Sequence, residues 1–250
     1  MLIDGFQAHG IEHLSPSSLN QFAQSPASFV LTRLLKKVAA TGAPAHRGTA
    51  VEAGVASVLK GSSLTDGVKL AHENFRTLVS LSDDPRIDKE FDAIGGMVEQ
   101  GVMALKPYGE PTAIQDKVEL RVPELPIPIM GFVDFRFGNI IVDLKSTHAL
   151  PSKINNTNHE RQVALYIAAS EGDHKGYLCY VTGKKHGLYE VTDAEQQAKA
   201  LARIGVTLGK FLSLSSDPLE LAQYVIPDVD SFWFSNDPHQ RAAAKEVWGV

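Results

Sequence analysis

Cysteine is almost missing from this chain: among 250 residues there is one, Cys179. A single thiol excludes an intramolecular disulfide and a cysteine-ligated zinc or iron–sulfur cluster within one chain. Cys179 lies in the apolar, strand-like run Tyr177-Leu178-Cys179-Tyr180-Val181 and reads as a small core residue. Long hydrophobic runs are missing too; none approaches the roughly 20 residues of a membrane-spanning helix. The opening Met1-Leu2-Ile3-Asp4-Gly5 has neither the basic nor the long apolar region of a signal peptide, so a cytoplasmic location is expected. Nor is there a large surplus of one charge: 24 basic and 29 acidic residues leave −5. Bulk charge therefore does not advertise nucleic-acid binding, although a basic patch opposite an acidic site escapes such a count. There are no repeats and no low-complexity segment. The length suits one large domain, or one domain with a helical annex.

What is present begins with helix signals. Ser15-Pro16 and Ser25-Pro26 each place a capping serine before a proline at the first helical position, with Leu19, Phe22, Phe29, Val30, Leu31, Leu34 and Leu35 as apolar faces. The second of these helices is expected to end at Lys36-Lys37. Thr41-Gly42-Ala43-Pro44 reads as a loop, and residues 46–60 as a helix. That helix carries Glu52 among the small residues Gly48, Ala50, Ala53, Gly54 and Ala56, a face that permits close approach. Residues 64–81 and 87–105 predict two further amphipathic helices, split by Asp83-Asp84-Pro85. At Ile114 the period changes. Val118, Leu120 and Val122 alternate with Lys117, Glu119 and Arg121, as in a half-buried strand. After a polar loop at 146–158 come a helix at 159–169, strands at 176–181 and 188–191, and a helix from Asp193 to about 214. The tail, 224–250, holds Phe232-Trp233-Phe234 and Trp248. It is either a packed terminal element or a partner-binding segment.

Residues 129–145 read as two strands joined at Gly138-Asn139. Asp134 sits on the first. Asp143 and Lys145, two apart on the second, share a face. Buried charges are costly unless paired or bound to a metal. Asp134 and Asp143 offer hard oxygen ligands suited to Mg²⁺ or Mn²⁺. Such an ion polarises a phosphoryl oxygen and acidifies water, and Lys145 beside it can orient that water and stabilise charge on phosphorus. The implied reaction is phosphodiester hydrolysis. The other reading is a buried Asp–Lys ion pair that only holds the hairpin.

An ordered set of short motifs resembles the PD-(D/E)xK nuclease superfamily, and within it the RecB-like and phage (lambda-type) exonuclease branch. The set runs from Leu14-Ser15-Pro16-Ser17-Ser18-Leu19 and Ser25-Pro26-Ala27-Ser28-Phe29, through Arg47-Gly48-Thr49-Ala50-Val51-Glu52, to Gly131-Phe132-Val133-Asp134, Val142-Asp143-Leu144-Lys145-Ser146 and Gln162-Val163-Ala164-Leu165-Tyr166. It covers about residues 14–170. The resemblance implies an α/β fold with a restriction-endonuclease-like core: a central mixed β-sheet flanked by helices, and a helical N-terminal half. It implies one nuclease domain over 1–250, with a helical wall at 1–110, the catalytic sheet and helix at 111–192, and a C-terminal helix and tail at 193–250. Glu52, Asp134, Asp143 and the Leu144 carbonyl would hold the metal, with Lys145 the catalytic lysine. Gln162 and Tyr166 would touch the DNA backbone or support the lysine and metal shell. Arg47 and Ser146 would bind substrate, since guanidinium suits phosphate. Ser25 stands where some relatives place a cluster cysteine, so no iron–sulfur cluster is expected. No helicase motif is present.

The expected function is a Mg²⁺- or Mn²⁺-dependent DNA exonuclease in phage or bacterial recombination, repair or replication, working in the bacterial host cytoplasm if phage-encoded. The expected partner is DNA with a free end, with a single-strand annealing or replication protein and a homo-oligomer as further possibilities, and no membrane. The alternatives are an endonuclease directed to ends or flaps, and a non-catalytic DNA-end-binding or assembly module. Phe22, Phe29 and Tyr166 are either base-stacking residues or core.

Overall fold

The computed structural model describes residues 4–37, 41–154, 156–235 and 238–250. In chain order the elements are α1 (Gly5–Ala8), α2 (Pro16–Gln24), α3 (Pro26–Phe29) running into a π-turn (Val30–Leu34), α4 (Ala43–Leu59), α5 (Leu64–Leu78), α6 (Ile87–Leu105), β1 (Ala113–Leu120), β2 (Ile129–Phe137), β3 (Ile140–Ser146), α7 (Thr157–Ala168), β4 (Lys175–Val181), β5 (His186–Glu190), α8 (Ala194–Leu212), α9 (Pro218–Ala222), α10 (Phe232–Ser235) and α11 (Pro238–Trp248). Contacts divide the chain into two compact units. One comprises Ala40–Val118 and Phe132–Ala194; the other comprises Met1–Ala39, Glu119–Gly131 and Glu195–Val250.

The first unit is organised on a five-stranded mixed sheet of order β1-β2-β3-β4-β5. Gly138, at φ 59°, makes the turn between β2 and β3, which pair antiparallel from Phe135↔Val142 to Phe137↔Ile140. β3 and β4 run parallel, joined through α7, and β5 returns antiparallel to β4. Phe135, Phe137, Val142, Leu144, Cys179 and Val181 form one apolar face, which packs on α4 and α6, and α5 packs on those two helices. Val163 of α7 packs on Leu178 and Tyr180 from the other side. A mixed sheet between helical layers, with a helical N-terminal half, is the restriction-endonuclease-like α/β arrangement.

The small residues of α4 serve this packing. A Cβ on Gly54 would come 2.8 Å from the Gly67 carbonyl of α5, so the two helices meet at backbone distance. Helix α4 also begins earlier than expected. Ala43 and Pro44 are helical, because the Ala43 N–H is capped at 2.8 Å by Asp84 Oδ2, a residue no local pattern connects to it. Helix α5 stops at Leu78, and β5 starts at His186 rather than 188. Asn156 caps α7 through Asn158 N–H at 3.0 Å, so the polar loop ends sooner than its composition suggests; Asn155 lies outside the described residues.

In the second unit both expected capping serines act: Ser15 closes a capping box with Ser18, and Ser25 accepts from Ser28 N–H at 3.3 Å. Phe22 packs edge-on against Phe29 and at a tilt against Phe211 of α8, so Phe22 and Phe29 are core. Leu14 forms a parallel bridge with Ile129. The tail is a packed element in this unit. Phe234 and Ala244 pack with Ala27 and Leu31, and Trp248 Nε1 donates to the Ala222 carbonyl at 2.8 Å. Among the described residues no helix is long and apolar enough to cross a membrane.

Candidate active site

Strand alternation sends Asp134, Asp143 and Lys145 to the sheet face opposite Phe135 and Val142. Beyond the paired register of β2 and β3, the Leu144 N–H donates to Asp134 Oδ2 at 2.8 Å, so a carboxylate takes the place of a strand carbonyl. Asp134 is 7% exposed and Asp143 is 0%. Lys145 Nζ lies 2.7 Å from Asp143 Oδ2 and donates to Gln162 Oε1 at 3.1 Å. Gln162 in turn donates to the Tyr166 hydroxyl at 2.6 Å. Tyr166 is 1% exposed and lies behind Gln162, whose amide it holds through its hydroxyl.

Glu52 reaches the same place from α4. Between Glu52 and Asp134 stands Gln115 of β1, whose Nε2 donates to Glu52 Oε1 and, at 3.2 Å, to Asp134 Oδ1. Burial raises the pKa of all three carboxyls. For Asp134 the charges of Asp143 and Glu52 add to it, and for Glu52 the Gln115 hydrogen bond partly offsets it. Burial works against the Lys145 ammonium, but Asp143, Asp134 and Glu52 outweigh it and its pKa rises. Lys145 therefore stands as a cation among three acids. His159, half-buried near that cation and hydrogen-bonded to the Tyr180 hydroxyl at 2.7 Å, is held neutral, desolvation and the Lys145 charge lowering its pKa to about 4.

The donor set fits a hard divalent ion. Asp143 Oδ1 is buried with no hydrogen-bond partner, and Asp143 Oδ2 has only the poorly angled contact with Lys145. A fully buried carboxylate in that condition needs positive charge. As placed, no three acid, histidine or thiol groups among the described residues converge tightly enough to cage an ion. The Gln115 amide separates two of the acids.

Arg47 departs from the sequence reading. Its guanidinium is 4% exposed and paired with Glu90, which is 2% exposed; it also donates to the Ser146 carbonyl at 3.0 Å and to Ser146 Oγ at 3.2 Å. His148 Nε2 shares Glu90 Oε2 at 2.9 Å. Arg47 thus has its donors engaged inside the protein, and the half-buried Ser146 is one of its acceptors. This network ties the end of β3, next to Lys145, to α4 and α6. Replacing Arg47 with methionine leaves Glu90 buried with only His148, and should cost about 3–5 kcal/mol in a urea titration. Adding Glu90→Leu should recover most of that loss. A single variant as stable as wild type would refute the role.

Gln115, Glu90, His148 and Phe132 were not singled out by sequence. Glu90 resembles an ordinary first-turn acid of α6. Phe132 shares the face of Asp134 by alternation and is 49% exposed, an unusual state for a sheet phenylalanine beside a buried carboxylate. That exposure was not readable from a strand pattern.

No curated protein sequence matches the chain. Among solved structures, a candidate exonuclease from Eubacterium rectale is similar at TM-score 0.54 and 12% identity, over 90% of this chain and 88% of its own. The protein SSO0001 is similar at TM-score 0.35 and 17% identity, over 64% of this chain and 84% of its own. A sequence model of the PD-(D/E)XK nuclease superfamily matches residues 13–223. On that match, and with the fold described above, the chain belongs to the PD-(D/E)XK nuclease superfamily.

Proposed function

We propose that this chain is a divalent-metal-dependent DNA exonuclease of the RecB-like or lambda-type branch, hydrolysing phosphodiester bonds from a free end. The observation that carries the reading is the fully buried Asp143, whose Oδ1 has no partner, 2.7 Å from the ammonium of Lys145. Glu52, Asp134, Asp143 and the Leu144 carbonyl would hold Mg²⁺ or Mn²⁺. When bound, that ion supplies positive charge against the charge that builds on the phosphodiester. Lys145, fixed by Gln162 and Tyr166, orients the attacking water and stabilises the same developing charge. Phe132 offers an exposed ring on the Asp134 face, suited to stacking on an unpaired base next to the scissile phosphate. That favours a single strand or a frayed end over an intact duplex.

The biological setting that suits such an enzyme is phage or bacterial recombination, repair or replication. A single-strand annealing or replication protein and a second copy of the chain are the fitting partners, and the whole chain is read as one nuclease domain. The test is a time course on end-labelled linear DNA and on a covalently closed circle of the same sequence, with Mn²⁺ or Mg²⁺. Linear strands should shorten progressively from an end while the circle persists. A circle cut as fast as the linear form sinks the exonuclease reading and leaves an endonuclease.

A further inference from the structure

The least regular point of the sheet lies at the site. Gln115 has φ 53°, a left-handed conformation that non-glycine residues adopt at a cost. Neighbouring side chains of a regular strand point to opposite faces. Here two neighbours reach the same face of β2. Asp116 binds Arg136, with Arg136 Nε donating to its Oδ2 at 3.0 Å, while Gln115 binds Asp134, two residues from Arg136. The left-handed turn at 115 breaks the alternation and aims the glutamine into the acid cluster.

Its amide then sits where a cation would serve both carboxylates. The NH₂ end faces Glu52 and Asp134 together, since toward two ionised carboxylates the carbonyl end would meet only acceptors. Rotation about the last side-chain torsion exchanges the two ends without changing the shape of the amide, and presents Oε1, a hard oxygen. We propose that Gln115 belongs to the cation site itself: its N–H groups stand in for the ion when none is bound, and its Oε1 is a ligand when one is. This rests on the metal-site reading above and adds a ligand to it.

The test uses the full chain stripped with EDTA. Gln115→Met keeps length and the left-handed cost but removes the amide; Gln115→Glu offers oxygen only. Thermal unfolding in EDTA and calorimetric titration with Mn²⁺ are the readouts. Both variants should melt below wild type in EDTA, because each loses the donor shared by two acids; unchanged midpoints overturn the stand-in. Gln115→Met should bind Mn²⁺ about tenfold more weakly and Gln115→Glu about tenfold more tightly. A methionine variant that binds Mn²⁺ as well as or better than wild type makes Gln115 a strut or a competitor, and overturns the ligand role alone. A wild type that takes up no Mn²⁺ overturns this inference together with the metal-site reading.

Discussion

Lys145→Met is expected to slow DNA hydrolysis about a thousandfold while leaving the protein folded and able to bind Mn²⁺. A positioned proton-handling and charge-stabilising group contributes roughly 10²–10⁴-fold. Lys145 is poised for that work by its surroundings: Asp143 at 2.7 Å keeps it charged, and Gln162 at 3.1 Å fixes its direction. Methionine fills the same volume without charge. Mn²⁺ affinity should hold or rise, since the ammonium that competes for Asp143 is gone. Lys145→Arg should not restore the rate, because a planar fork cannot occupy the point position that Gln162 and Asp143 define. The decisive measurement pairs single-turnover hydrolysis with Mn²⁺ calorimetry on the same preparation. A rate within threefold of wild type would remove Lys145 from the chemistry, and lost Mn²⁺ binding would make its role structural.

The sequence made the hairpin legible because two short-range rules coincide there. Gly138-Asn139 marks the turn, and the period of two puts Asp143 and Lys145 on one face. Glu52 was legible only through the family resemblance, since one glutamate on a helix carries no signal of its own. Arg47 shows why charge alone misleads. A guanidinium suits phosphate equally well whether it faces solvent or a buried acid, and Glu90 lies 43 residues away. Gln115 was hidden for a different reason. Its function depends on a backbone conformation that glutamine does not prefer, and tertiary contacts with Glu52 and Asp134 hold it there. Helix boundaries failed in the same way: the cap of α4 comes from Asp84, which only the folded chain brings near.

The clustered acids set an opposite pair of effects in motion for Asp143→Asn: hydrolysis lost, stability gained. Three carboxylates face one ammonium, and Asp134, Asp143 and Glu52 all have raised pKa values, burial being the largest cause for each. A carboxyl whose pKa is higher in the folded state binds its proton more tightly there. Its contribution to stability is full below the ordinary carboxylate range and is lost as pH rises through the folded value. Metal-free wild type should therefore melt lower at pH 8 than at pH 5, and added Mg²⁺ should flatten that slope. The amide introduced by Asp143→Asn keeps an oxygen for Lys145 and turns a donor toward the remaining acids. Lys145 retains Gln162 and the charges of Asp134 and Glu52, so it is not orphaned as Glu90 is in the Arg47 variant. Relief of about 2 kcal/mol raises the midpoint in EDTA at pH 8 by about 5 °C, with little difference left near pH 4. Melting curves across that range, with and without Mg²⁺, check both the sign and the window. An Asp143→Asn variant less stable than wild type at pH 8 without metal would mean that the Asp143–Lys145 pair outweighs the repulsion, and that the acids are held for structure.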